Sequence, residues 1–68
     1  METSARNQLR GTVKAVSIGA VMAEVIVDVN GIDVVAAITK DSAERLGLTS
    51  GMSAIAIIKA TDVMIGVE

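Results

Sequence analysis

Apolar and polar positions alternate along most of the chain, and the alternation predicts strands. From Leu9, the residues Leu9, Gly11, Val13 and Ala15 fall on one side and Arg10, Thr12 and Lys14 on the other, the period-two signature of a half-buried strand. Ser17-Ile18-Gly19-Ala20 reads as a turn. A second strand follows, with Val21, Ala23, Val25, Val27 and Val29 on one face and Met22, Glu24, Ile26 and Asp28 on the other. Asn30-Gly31 then separates two β-branched runs. A type I′ hairpin turn needs positive φ at both central residues, and Asn-Gly tolerates that best. The third strand runs from Ile32 to about Thr39, largely apolar on both faces. The period changes over Lys40–Leu46, which reads as a short helix with Ala43 and Leu46 on one side. Thr39 and Asp41 compete as its N-cap, and Gly47 fits the left-handed position after its end. Thr49-Ser50-Gly51 is a turn, Ser53–Lys59 a fourth strand, Ala60-Thr61-Asp62 a break and Val63–Val67 a short fifth strand.

Three strands, one short helix and two further strands make an all-β chain. A five-stranded barrel of the OB type places its helix between strands 3 and 4 in this way. No linker, low-complexity tract or repeat divides residues 1–68, so a single domain is expected.

Composition bears on how such a barrel is stabilised. A domain the size of this chain of 68 residues and 7.0 kDa buries only about 60% of the surface its unfolded chain exposes, and such domains usually add disulfides, metals, large aromatics or partner subunits. This chain has no Cys, His, Phe, Tyr, Trp or Pro, yet 51% of its residues are hydrophobic. Oligomerisation is the remaining device, and a third strand apolar on both faces suits a sheet covered by a second copy.

The same absences narrow the chemistry. Without His or Cys the commonest general base and the readiest nucleophile are missing, and no dinucleotide, P-loop, G-x-S-x-G or EF-hand motif occurs, so the chain does not read as an enzyme. A net charge of −2 without aromatics is a poor match to a nucleic-acid groove or a membrane surface. The polar first ten residues lack the apolar stretch of a signal peptide, and no apolar run is long enough to span a bilayer, so the cytoplasm is the expected compartment.

Among the six cations, Arg10 and Lys14 fall on the polar face of the first strand, and Lys40 and Arg45 on a solvated helix face. Lys59 differs, because it ends the apolar run Ala54-Ile55-Ala56-Ile57-Ile58; it either extends into water or aims its ammonium into a drier site. Arg6 sits in a lead-in rich in hydroxyl and amide groups, with Thr3, Ser4 and Asn7. Thr39 and Ser42 add two hydroxyls at the start of the helix, where backbone N–H groups lack internal partners and favour anions. Asp41 opposes an anion there. Met22, Met52 and Met64 read as core or interface filler.

Three segments in this order, Ser4-Ala5-Arg6-Asn7, Val35-Ala36-Ala37-Ile38-Thr39 with Ser42, and Lys59-Ala60-Thr61, resemble the molbindin (Mop) family of single-domain molybdate-binding proteins of the TOBE, OB-like type. The likeness runs from about Ser4 to Ile65. It implies a homohexamer, a trimer of dimers, that holds molybdate or tungstate between subunits as an intracellular store, with no other cofactor and no metal ligated directly by the protein. It further implies an oxyanion site of Ser4, Ala5, Arg6, Thr39, Ser42, Lys59 and Ala60, with Ala60 where relatives carry a hydroxyl, and a second site near Gly19, Ala20 and Val21. Two other readings compete: a structural assembly module without ligand, and an OB-type nucleic-acid-binding domain.

Overall fold

A computed structural model describes residues 1–68. The strands are β1 (Asn7–Ile18), β2 (Met22–Val29), β3 (Ile32–Thr39) and β4 (Ser53–Ile58), with the helix α1 (Lys40–Arg45) between β3 and β4. They form one antiparallel sheet in the order β3-β2-β1-β4. The long β1 serves both neighbours: its first half, Asn7–Thr12, pairs with β4, and its second half, Thr12–Ile18, pairs with β2.

Local chemistry accounts for the joints. Asn30 and Gly31 have φ of 51° and 87°, the two left-handed residues that the hairpin requires, and the Asp28 carboxylate accepts from the Gly31 N–H at 3.1 Å. Thr39 rather than Asp41 caps α1, accepting from the Ser42 N–H at 3.0 Å, while Asp41 lies within the first turn. The helix ends in a Schellman arrangement: the Leu48 N–H reaches Ala43 O, the Gly47 N–H reaches Glu44 O, and Gly47 has φ 64°. The motif turns the chain so that Leu48, not Leu46, packs on the core, and Leu46 stays exposed.

Two boundaries depart from the period-two pattern. A bulge between Val13 and Ala15 shifts the register of β1 against β2. Beyond it the alternation inverts, so Val16 packs inward while Ala15 is exposed, although the simple alternation places Ala15 inside. The strand also runs on through Ser17 and Ile18, and the turn is confined to Gly19–Val21, which leaves Val21 outside β2. A bulge adds a residue without ending pairing, and the sequence carries no separate mark for it.

The fifth strand over Val63–Val67 does not form. After a 3₁₀ turn at Ala60–Asp62, residues 63–68 carry no sheet pairing and are exposed throughout, with Met64 91% and Val67 93% accessible. The sheet is therefore open between its edge strands β3 and β4. A strand needs a neighbouring edge, and within one chain this segment is paired with neither.

The core is correspondingly small. Val13, Val25 and Val27 form its centre, with Val16, Val29, Ala36, Ile38, Leu48, Met52 and Ala54 packed around them. Only five of 68 residues are buried. Below the sheet lies an open groove of about 740 Å³ whose walls are almost wholly apolar, among them Val34, Ile38, Met52 and Ile55.

Gly11 marks the point where β1 passes from β4 to β2. A Cβ there would collide with the Asp28 carbonyl oxygen and lie 2.9 Å from Val27 Cγ1. Gly11→Ala should therefore destabilise the protein by about 1–3 kcal/mol, the usual cost of forcing a methyl group into packed structure. Denaturant unfolding reads it, and an unchanged midpoint would mean that β1 and β2 separate there at no cost.

Candidate functional site

The antiparallel register places the site segments at two ends of the molecule. Asn7 of β1 pairs with Ile58 of β4, so the next residues outward are Arg6 on one strand and Lys59 on the other, followed by Ala5 and Ala60. The lead-in and the Lys59–Ala60 turn thus share one end of the β1–β4 ladder. Thr39 pairs with Met22 at the other end of the sheet, beside the Gly19–Val21 turn, and there the Lys40 N–H donates to Val21 O at 2.7 Å. The second candidate group, Gly19, Ala20 and Val21, therefore adjoins Thr39 and Ser42. The 12 residues of β1 lie between the two ends, roughly 36–40 Å of extended chain at the usual rise per residue, in a molecule 36 Å in its longest dimension.

The cation-bearing end is rich in charge that has no partner. The protein's two ion pairs are Lys14 with Asp33 at 3.1 Å and Lys40 with Glu44 at 4.0 Å, so neither Arg6 nor Lys59 is bridged. Both side chains are exposed. Arg6 lies in a bend one residue before the ladder begins at Asn7, and Lys59 one residue after it ends at Ile58. Like charges gathered at one end of a ladder repel, and an anion between them removes the repulsion.

Local bonds shape the lead-in. The Ala5 N–H donates to Thr3 Oγ1 at 3.2 Å, and the Gln8 side-chain amide donates to Ala5 O at 2.7 Å. Sequence reasoning did not single out Gln8. The usable signal was its amide side chain two residues from Arg6. On the other strand, Lys59 is still extended, with φ −64° and ψ 131°, and its carbonyl accepts from the Asp62 N–H at 2.9 Å, which closes the 3₁₀ turn.

The hydroxyl-bearing end has the opposite character. The Thr39 hydroxyl donates to Ser42 Oγ at 2.8 Å, and Thr39 Oγ1 accepts from the Ser42 N–H. Two hydroxyls bonded to each other can direct one O–H outward between them, and here it belongs to Ser42. The helix start is a weaker anion site than the sequence suggests: the Lys40 N–H is spent on Val21 and the Ser42 N–H on Thr39. Nor is there surplus positive charge, because Glu44 pairs with Lys40, and Asp41 offsets Arg45 on the same short helix. The half-buried Lys40 is thus engaged rather than fully solvated.

One chain therefore places Ser4, Ala5, Arg6, Lys59 and Ala60 at one end of the β1–β4 ladder, and Thr39 with Ser42 and the Gly19–Val21 turn at the other end of the sheet. It does not unite the cations with the hydroxyl pair. Ile18, Val21 and Met22, exposed apolar residues, surround the hydroxyl end. No group of three or more carboxylates forms a cluster able to hold a metal ion.

Known proteins resemble this chain along its length. The model of the TOBE domain matches residues 3–65. Molybdenum-pterin-binding protein 3 of Clostridium pasteurianum is 52% identical over 66 residues, covering 96% of this chain and 97% of the relative. A molybdate-binding protein from Sporomusa ovata superposes with a TM-score of 0.91 at 43% identity, covering 96% of this chain and 97% of that one. ModG, described as a cytoplasmic molybdate-binding protein and solved with molybdate bound, superposes with a TM-score of 0.93 at 45% identity over the whole of this chain and 49% of its own.

Proposed function

This chain belongs to the TOBE-domain family, among whose full-length relatives are the molybdenum-pterin-binding (Mop) proteins, and on that premise we propose that it binds the molybdate dianion at sites shared between copies of itself. The observation that carries the reading is the division of labour between the two ends: unbridged Arg6 and Lys59 at one, the Thr39–Ser42 hydroxyl pair at the other. A tetrahedral dianion needs compensating charge and several inward-pointing donors. Arg6 and Lys59 supply the charge, and Ser42, Ser4 and nearby backbone N–H groups supply neutral donors. The cation end has the Ser4 hydroxyl alone among side-chain hydroxyls to add to its charges, and the hydroxyl end has no surplus charge, so two copies complete the site. Ala60 leaves the lysine-bearing turn one side-chain donor short of its hydroxyl-bearing counterparts. Gly19, Ala20 and Val21 serve a second oxyanion position at the hydroxyl end.

Assembly follows from the same features. Five buried residues are few for a stable domain, and the open apolar groove and the exposed segment from Val63 to Val67 are surfaces that a second copy can cover. The closed five-stranded barrel is proposed to form within that homo-oligomer, a hexamer built as a trimer of dimers. Tungstate has the same shape and charge and shares the sites. The role is storage or buffering of molybdenum in the cytoplasm, without catalysis; no helix of the chain is long and apolar enough to cross a membrane.

Molybdate should raise the thermal midpoint of the assembly, and the rise should grow with ligand concentration. A ligand bound by the native state alone contributes about 2.7 kcal/mol at one hundred times its dissociation constant. Melts in a molybdate series measure this. The absence of any shift at millimolar molybdate favours an assembly module without ligand.

A further inference from the structure

We infer that Gln8 is a positioning residue for the oxyanion site, holding the Ser4-Ala5-Arg6 lead-in in its binding shape before the anion arrives. The inference rests on the molybdate reading and adds to it a residue that touches no anion. Residues 1–6 precede the first ladder pair, so no sheet bond holds their backbone, and such a terminus is free to fray. What holds it is a side-chain clamp on both polar groups of one peptide residue. Thr3 Oγ1 accepts from the Ala5 N–H at 3.2 Å, and Gln8 Nε2 donates to Ala5 O at 2.7 Å.

The Gln8 bond is the shorter of the two and the better anchored. Gln8 is itself within the β1–β4 ladder, paired with Ile57, so its backbone is fixed while the lead-in is not. It lies two residues from Arg6, and its ladder partner Ile57 lies two residues before Lys59, at the same end. Tying Ala5 O back to the ladder sets the path of the chain through Arg6 and so the direction from which its guanidinium approaches the lysine. Without the clamp, the lead-in would have to be ordered at the moment of binding, and that entropy would be subtracted from affinity. The bond spans three residues at the exposed edge of the fold, and its loss opens no cavity.

The test uses Gln8→Met, which keeps the length and removes the donor, and Gln8→Glu, which keeps the shape and removes the donor, in the full-length assembly. Calorimetric titration with sodium molybdate should show affinity reduced about tenfold in both, equivalent to 1.4 kcal/mol. The ligand-free melting midpoint should not move, and amide hydrogen exchange should accelerate in the lead-in, residues 3–7, alone. Unchanged affinity in Gln8→Met, or a loss matched by a lower ligand-free midpoint, would overturn the positioning role. Wild-type protein that fails to bind molybdate would sink the functional reading, and this role with it. Wild-type binding with an indifferent Gln8→Met sinks only the positioning role.

Discussion

Lys59→Ala should weaken molybdate binding by roughly ten- to a hundredfold while the ligand-free protein keeps its stability. Lys59 is exposed, follows the last residue of β4 and forms no ion pair, so truncation opens no cavity and strands no partner. The bound dianion would keep Arg6 and the neutral donors and lose one full positive charge. A hydrogen bond to a charged group contributes about 1.5–3 kcal/mol, and every 1.4 kcal/mol is about tenfold in affinity. Lys14→Ala is the control. Lys14 is engaged with Asp33 at 3.1 Å, well along β1 from the lead-in, and the pair is half exposed, so its loss should change stability by about 1 kcal/mol or less and binding not at all. Equal affinities for the two variants in calorimetric titration would remove Lys59 from the site.

Removing residues 63–68 should dissociate the assembly and abolish binding together. In one chain these residues make no sheet pairing, and Met64, Ile65 and Val67 are almost fully exposed, so a monomeric protein would lose nothing by the cut. In an assembly the segment has a use. Each large apolar side chain moved from water into a groove contributes about 1.5–3 kcal/mol before ordering costs, and the groove between β3 and β4 has apolar walls and two open strand edges. Sedimentation equilibrium should give six times the 7.0 kDa chain mass for the intact protein and a much smaller species for the truncated one. Because Arg6 and Lys59 of one copy would then no longer meet the Thr39–Ser42 pair of another, molybdate binding should fall with the mass. A truncated chain that sediments as the intact one does would remove the C-terminal segment from the interface. Intact protein at 7.0 kDa would remove the shared sites altogether.

Features that depend on neighbouring residues were legible in the sequence. Alternation at period two reports which residues of β2 face the core, because side chains of an extended chain must point to opposite faces: Ala23, Val25 and Val27 are all buried. Asn30-Gly31 and Gly47 were legible for the same reason, since each constrains the φ of one or two residues, whereas the choice of Thr39 over Asp41 as the cap came from the structure. The segments resembling the Mop family were likewise readable as strings, and they supply the residues of the proposed site.

What depends on distant residues was decided only by the tertiary structure. The bulge after Val13 exists in the register between β1 and β2, and no run of residues in β1 alone reveals that Ala15 turns outward and Val16 inward. The apolar run Val63–Val67 has strand composition but finds no edge within its own chain, because a strand is completed by its partner and not by its propensity. The proposed site follows the same logic. Its cations and its hydroxyls are plain in the sequence, but the antiparallel order β3-β2-β1-β4 sends Arg6 and Lys59 to one end and Thr39 and Ser42 to the other. Residue type determined which groups this protein has for an oxyanion, and strand pairing determined that one chain holds them apart.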